Sequence, residues 1–118
     1  MAETRFLQGS ADITAGAIIN LVTYKVQVPL SLFIQQISID LFPADYFPDI
    51  LFSLLINGVP EKNFNNVNSQ ITQSYFPISL PTPIKCPSGS IVIWQITGLA
   101  SLAANTPTAY ASILGILK

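Results

Sequence analysis

Along much of this chain apolar and polar residues alternate with a period of two, the repeat of a half-buried β-strand. Between residues 20 and 28, Val22, Tyr24, Val26 and Val28 share one face, while Thr23, Lys25 and Gln27 share the other. Between residues 31 and 41 the phase changes: Leu32 and Ile34 lead, then Ile37, Ile39 and Leu41 take over. Such a change predicts a β-bulge near Gln35-Gln36, or a strand that passes from one sheet to another. Residues 50–56 are apolar on both faces apart from Ser53, as in a central strand. Asn57-Gly58 follows at once and predicts a tight hairpin, because both residue types tolerate positive φ. Residues 75–80, 91–97 and 109–117 read as further strands, and 99–104 as one helical turn. Residues 6–8 and 11–14 read as pieces of a first strand interrupted at Gly9-Ser10. The nine prolines are expected mostly at strand ends, except Pro77, which makes its strand an edge. Residues 63–74, rich in Asn, Gln and Ser, read as a surface excursion.

Joined in order, these elements predict an all-β fold, an antiparallel β-sandwich of seven to eight strands. At 118 residues the chain fits a single domain spanning 1–118, with 1–18 as an N-terminal arm or first strand. Composition changes what such a sandwich is expected to do. Half the residues are hydrophobic and only 9% are charged, where a soluble domain carries roughly 25%. The five cations, Arg5, Lys25, Lys62, Lys85 and Lys118, are nowhere closer than twenty positions in sequence, so no basic run exists to displace counterions from nucleic acid. No apolar stretch reaches the roughly 18 to 20 residues of a membrane span. The opening Met1-Ala2-Glu3-Thr4-Arg5 has no signal-peptide pattern, and Cys86 is a lone cysteine, so synthesis in a reducing host cytoplasm is expected.

Candidate chemistry is thin. There is no histidine, which removes the usual general base and the orienting member of a catalytic triad. Lys85 beside Cys86 would lower a thiol pKa, but a small packed side chain is the expected role of this cysteine. Asp40, Asp45 and Asp49 fall within ten residues, yet their spacing matches no calcium loop, and they read as solvated loop acids. No catalytic residue, metal ligand or cofactor site is assigned. The Pro-stiffened stretch 42–48 carries Phe42, Tyr46 and Phe47, which either anchor a partner or fold back as a lid on the sandwich. Trp94, between Val92 and Ile96, is expected in the core rather than on a sugar-stacking platform.

Residues 50–56, 91–96 and 109–117 have apolar or small residues on both sides of the strand. A two-sheet sandwich has one interior, so several outer walls should be apolar, which marks protein interfaces. Several patterns carry a resemblance. They are the Asp12-Ile13-Thr14-Ala15-Gly16-Ala17 turn, the long strand through Ile37-Ser38-Ile39 with its aromatic loop, and the Leu55-Ile56-Asn57-Gly58-Val59-Pro60 hairpin. Phe76-Pro77-Ile78-Ser79-Leu80-Pro81, Ser88-Gly89-Ser90-Ile91-Val92-Ile93 and the closing strand complete the set. With these the chain resembles the small jelly-roll accessory proteins of virus capsids, especially the decoration or cement proteins of bacteriophage heads. The resemblance implies a jelly-roll-like form of the sandwich and a non-enzymatic structural protein of the virion, a decoration, cement or minor capsid component. Its expected partners are itself, as a homo-oligomer such as a trimer, and a major capsid protein. Phe42, Tyr46, Phe47, Asn63, Asn65 and Asn66 are the candidate partner contacts. The alternative function is a lectin-like or receptor-binding module of a viral fibre or spike, using surface aromatics beside the polar loop.

Overall fold

The computed structural model describes the backbone of residues 2–65 and 75–118, with side chains except at 44, 47, 48, 62–65, 75–79 and 81. Among the described residues eight strands run in chain order: β1 (Glu3–Asp12), β2 (Ile18–Lys25), β3 (Leu32–Phe42), β4 (Ile50–Ile56), β5 (Val59–Asn65), β6 (Tyr75–Cys86), β7 (Ile91–Gly98) and β8 (Thr108–Leu117). Two 3₁₀ turns, Ala44–Asp49 and Ala100–Leu102, join β3 to β4 and β7 to β8. The second is the helical turn expected at 99–104.

Pairing explains the architecture. β4 pairs with β5, β3 with β6, β2 with β7 and β1 with β8, all antiparallel, so the chain forms one long ribbon folded back at the β4–β5 hairpin. Lateral pairing of β3 with β8 and β4 with β7 rolls that ribbon into two four-stranded sheets, β1-β8-β3-β6 and β2-β7-β4-β5. This nested order is that of a jelly roll. The expected antiparallel β-sandwich is present, with eight strands.

Local sequence accounts for most of the strand geometry. Asn57 and Gly58 adopt φ of 53° and 79°, and Ile56 pairs with Val59 across them, giving the two-residue hairpin. In β3 the register slips between Ile34 and Gln36, at the site of the phase change. Because of that slip Leu32, Ile34, Ile37, Ile39 and Leu41 are all buried. Other expectations need correction. β1 is continuous through Gly9-Ser10. The reason for Gly9 is proximity: a Cβ there would lie 1.8 Å from the Leu21 carbonyl oxygen of β2. At that crossing β2 bulges, so Leu21 and Val22 are both buried, and Val28 lies beyond the strand end, 66% exposed. β6 extends to Cys86 and takes Pro77, Pro81 and Pro83 inside it. It tolerates them as the edge of its sheet, where a proline forfeits no ladder bond. Against β3 its register jumps from Ile84 to Ser79 while β3 advances only from Ile34 to Gln36, so the proline stretch bulges off the ladder. β5 also claims residues 63–65 of the expected polar excursion, and the remainder of it lies outside the described residues.

The core lies between the sheets. Phe52 and Trp94 meet edge to face, ring centroids 5.3 Å apart. The Trp94 indole N–H donates to the Ser38 carbonyl oxygen of the opposite sheet at 3.0 Å, so this side chain crosses the sandwich and satisfies its polar atom. Ile50, Leu54, Val92, Ile96 and Ile113 close around it with no measurable exposure. Each such side chain contributes about 1.5–3 kcal/mol on burial.

Candidate interaction surfaces

Because side chains alternate along a strand, every core-facing set leaves an outward-facing set of equal length. On the β2-β7-β4-β5 sheet, register aligns the outward residues in rows. Ile18, Thr97 and Leu51 form one, Asn20, Gln95 and Ser53 the next, and Thr23, Ile93 and Leu55 a third. Leu51, Leu55 and Ile93 are half-buried, while Ile18 and Ile91 are exposed. The middle row is polar, and Gln95 Nε2 donates to Asn20 Oδ1 at 3.1 Å. Two apolar belts therefore flank one amide row, with Lys25 as the cation at the end of the sheet. This is the greasy outer wall that residues 50–56 and 91–96 foretold.

The outer wall of the β1-β8-β3-β6 sheet divides along its length. At one end Phe6 pairs with Leu114, and Ile116 lies between Thr4 and Phe33. Lys118 Nζ sits 4.9 Å from the Phe33 ring centroid, a cation–π contact that covers this end. At the other end the rows are Gln8–Ser112–Ser38, Ser10–Tyr110–Asp40 and Asp12–Thr108–Phe42. Ser38 and Ser112 hydroxyls hydrogen-bond to each other, and the Thr108 hydroxyl donates to Asp12 Oδ1 at 2.7 Å.

The aromatic stretch after β3 is split in two. Phe42 stays on the outer wall, 73% exposed. Tyr46 folds onto the end of the sandwich, packs against the core and donates its hydroxyl to Asn105 Oδ1 at 3.0 Å, the lid position. Phe47 belongs to the 3₁₀ turn and Asn63 and Asn65 to β5, their side chains falling outside the described set, as does Asn66 entirely. Of the six candidates only Phe42 and Tyr46 have described side chains, and these two lie apart, one on the outer wall and one on the end of the sandwich. The larger apolar surface, on β2, β7 and β4, was visible in sequence only as two-sided hydrophobicity, without named contacts.

Cys86 is fully buried on the inner side of β6, paired with Leu32 of β3. Burial, with the Glu61 carboxylate adding to it, pushes its thiol up to about 11, the direction opposite to what a Lys85 contact would produce. The side chain is packing, as expected. Among the described residues no group of three or more Cys, Asp or Glu side chains could hold a metal ion. No helix is long and apolar enough to cross a membrane among the same residues.

Comparison with known proteins fits this fold. No family model matches the chain. No curated protein matches it by sequence either. Among solved structures, a chain of the cyanophage Pam1 capsid asymmetric unit is similar over 99% of this chain and 86% of its own length, with TM-score 0.54 and 11% identity. A chain of the infectious bursal disease virus Gx strain matches over 99% of this chain but 31% of its own, with TM-score 0.46 and 12% identity. Aeromonas hydrophila PliG, a periplasmic inhibitor of g-type lysozyme, matches over 96% and 87%, with TM-score 0.41 and 13% identity. At these identities the likeness concerns the fold, and the cyanophage match carries it, with a TM-score above 0.5.

Proposed function

We propose that this chain is a non-enzymatic structural component of a virus particle, a decoration, cement or minor capsid protein that reinforces the shell. The carrying observation is the outer wall of the β2-β7-β4-β5 sheet, where Leu51, Leu55 and Ile93 are only half covered and Ile18 and Ile91 are open to solvent. The fold likeness to a chain of the cyanophage Pam1 capsid asymmetric unit, which spans nearly all of this chain and 86% of that one, supports the same reading.

The mechanism is burial rather than chemistry. Apolar area removed from water contributes about 25 cal/mol per Å², so an interface of standard size binds firmly even after the cost of association. Copies of the chain, as trimers for instance, and a major capsid protein are the partners, with exposed Phe42 contributing from the β3 end. The virion is the place of action, after synthesis in the host cytoplasm.

Salt is the test. Purified chain is added to shells that lack it, and the bound fraction is measured by pelleting across NaCl concentrations. Contacts made by uncharged walls are not screened, so binding is expected to hold to about 1 M NaCl, where the Debye length is roughly 3 Å. Release by modest NaCl alone would overturn the mechanism.

A further inference from the structure

We propose that the polar end of the β1-β8-β3-β6 outer wall is a binding site for a neutral carbohydrate, with Tyr110 and Phe42 as its stacking faces. The two aromatic residues stand on neighbouring strands. Tyr110 is opposite Asp40 and Phe42 is opposite Thr108, one row further along, so they are diagonal neighbours on the same face. They are 48% and 73% exposed, and neither needs to be on this wall for the core. A flat ring presented to water offers an apolar face to the C–H surface of a sugar ring.

The surroundings supply the polar half of such a site. Gln8, Gly9, Ser10, Tyr110 and Ala111 line a depression of about 300 Å³. Gly9 and Ala111 pair with each other between the Gln8–Ser112 and Ser10–Tyr110 rows, so backbone forms the floor and Gln8, Ser10 and Tyr110 the walls. That volume is at the lower end for small-ligand sites, which combine apolar faces with a few polar groups. The Gln8 amide and the Ser10 hydroxyl each donate and accept, and Asp40 adds an acceptor in the Tyr110 row. At roughly 3.4 Å per residue and 4.8 Å per strand, the three rows span about 14 by 10 Å, the reach of two or three linked sugar rings.

Charge selects the class of sugar. The rows contain Asp12 and Asp40 and no Lys or Arg. The cations carried by this sheet, Arg5 and Lys85, pair at its other end, opposite Gly115 and Phe33, and Lys118 lies over Phe33. Carboxylates without a compensating cation accept from hydroxyls and repel sialic or uronic acids. The inference goes beyond the structural role proposed above: the two readings share Phe42, but Tyr110, Gln8 and Ser10 belong to this site and the β2-β7-β4-β5 wall to the other, so one can fail without the other.

The isotope-labelled chain is titrated with maltotetraose, cellotetraose, chitotetraose, lacto-N-tetraose and 3′-sialyllactose, and amide shifts are followed by NMR. At least one neutral tetrasaccharide is expected to bind in the millimolar range and to shift amides of residues 8–12, 40–42 and 108–112. Tyr110→Ala should weaken that binding about tenfold or more, Tyr110→Phe should keep it within about threefold, and Ile93→Ala on the opposite wall should leave it unchanged. The amide spectrum reports whether each variant is folded, and Phe42→Ala serves as a second probe of the platform. No shift with any neutral sugar at about 20 mM, shifts on the other sheet, tighter binding of sialyllactose, or a folded Tyr110→Ala that binds like wild type would each overturn the proposal.

Discussion

A buried thiol is a small side chain with a measurable consequence. Cys86 ionises near 9.0 when exposed and near 11 in the folded chain. Below pH 9 the folded and unfolded states both hold the proton, and the protonated core is fully favoured. Between pH 9 and 11 only the unfolded state releases it, so stability falls as pH rises, by about 2–3 kcal/mol over the window. Cys86→Ala removes this slope while costing about 1 kcal/mol at neutral pH through lost packing. Urea unfolding from pH 8 to 11 should therefore show the advantage of the wild type shrinking and then reversing, and a constant difference would contradict the placement of this thiol. Sequence indicated the packing role from residue type alone. It gave no view of the inner side of β6, because the prolines on either side of Cys86 look like a loop.

Elements whose rules are local were legible, and those set by another part of the chain were not. Asn57-Gly58 and the phase change at Gln35-Gln36 announce a hairpin and a bulge wherever they occur, since each conformation depends on adjacent residues. Gly9 looked like a break in β1 because glycine usually weakens a strand. Its role is set by Leu21 of β2, a neighbour in space and in the other sheet. Pro81 and Pro83 likewise signalled the end of β6, yet the edge position of that strand lets it continue past them. The contact of β1 with β2 makes a strong prediction. Gly9→Ala places a methyl against a backbone oxygen that has no freedom to rotate away, so the two strands must separate. A loss of about 3 kcal/mol is expected in thermal or urea unfolding, far beyond the small gain that glycine-to-alanine changes give in unconstrained strands. A loss under about 0.5 kcal/mol would show that the strands are not this close.

For the whole molecule, the two outer walls differ and should separate by mutation. Leu51 and Ile93 stand in different rows of the β2-β7-β4-β5 wall, half-buried and facing away from the core. Replacing both with glutamate should leave the fold within about 1–2 kcal/mol of wild type, since neither supports the interior. The same pair should reduce attachment to shells, or self-association measured by sedimentation, by about tenfold or more, because an unpaired charge in an apolar interface remains undesolvated only if the interface opens. Unchanged attachment would move the docking surface elsewhere. Two-sided hydrophobicity makes these walls legible in the sequence. The choice of wall was not legible, because which side of a strand faces the core follows from register between distant segments.

The rolled ribbon also bears on how the chain comes to be made. β8 lies between β1 and β3, so the sheet that carries them has no centre until the final strand is available. Until β8 pairs, Leu32, Ile34, Ile37 and Ile39 of β3 lack their neighbour on one flank, and the ladder closes only when segments far apart in sequence meet. Pairings between such remote segments form slowly. Chains in which that pairing is delayed expose apolar strand edges, so recovery of folded protein is expected to rise with dilution during refolding, as measured by the soluble fraction.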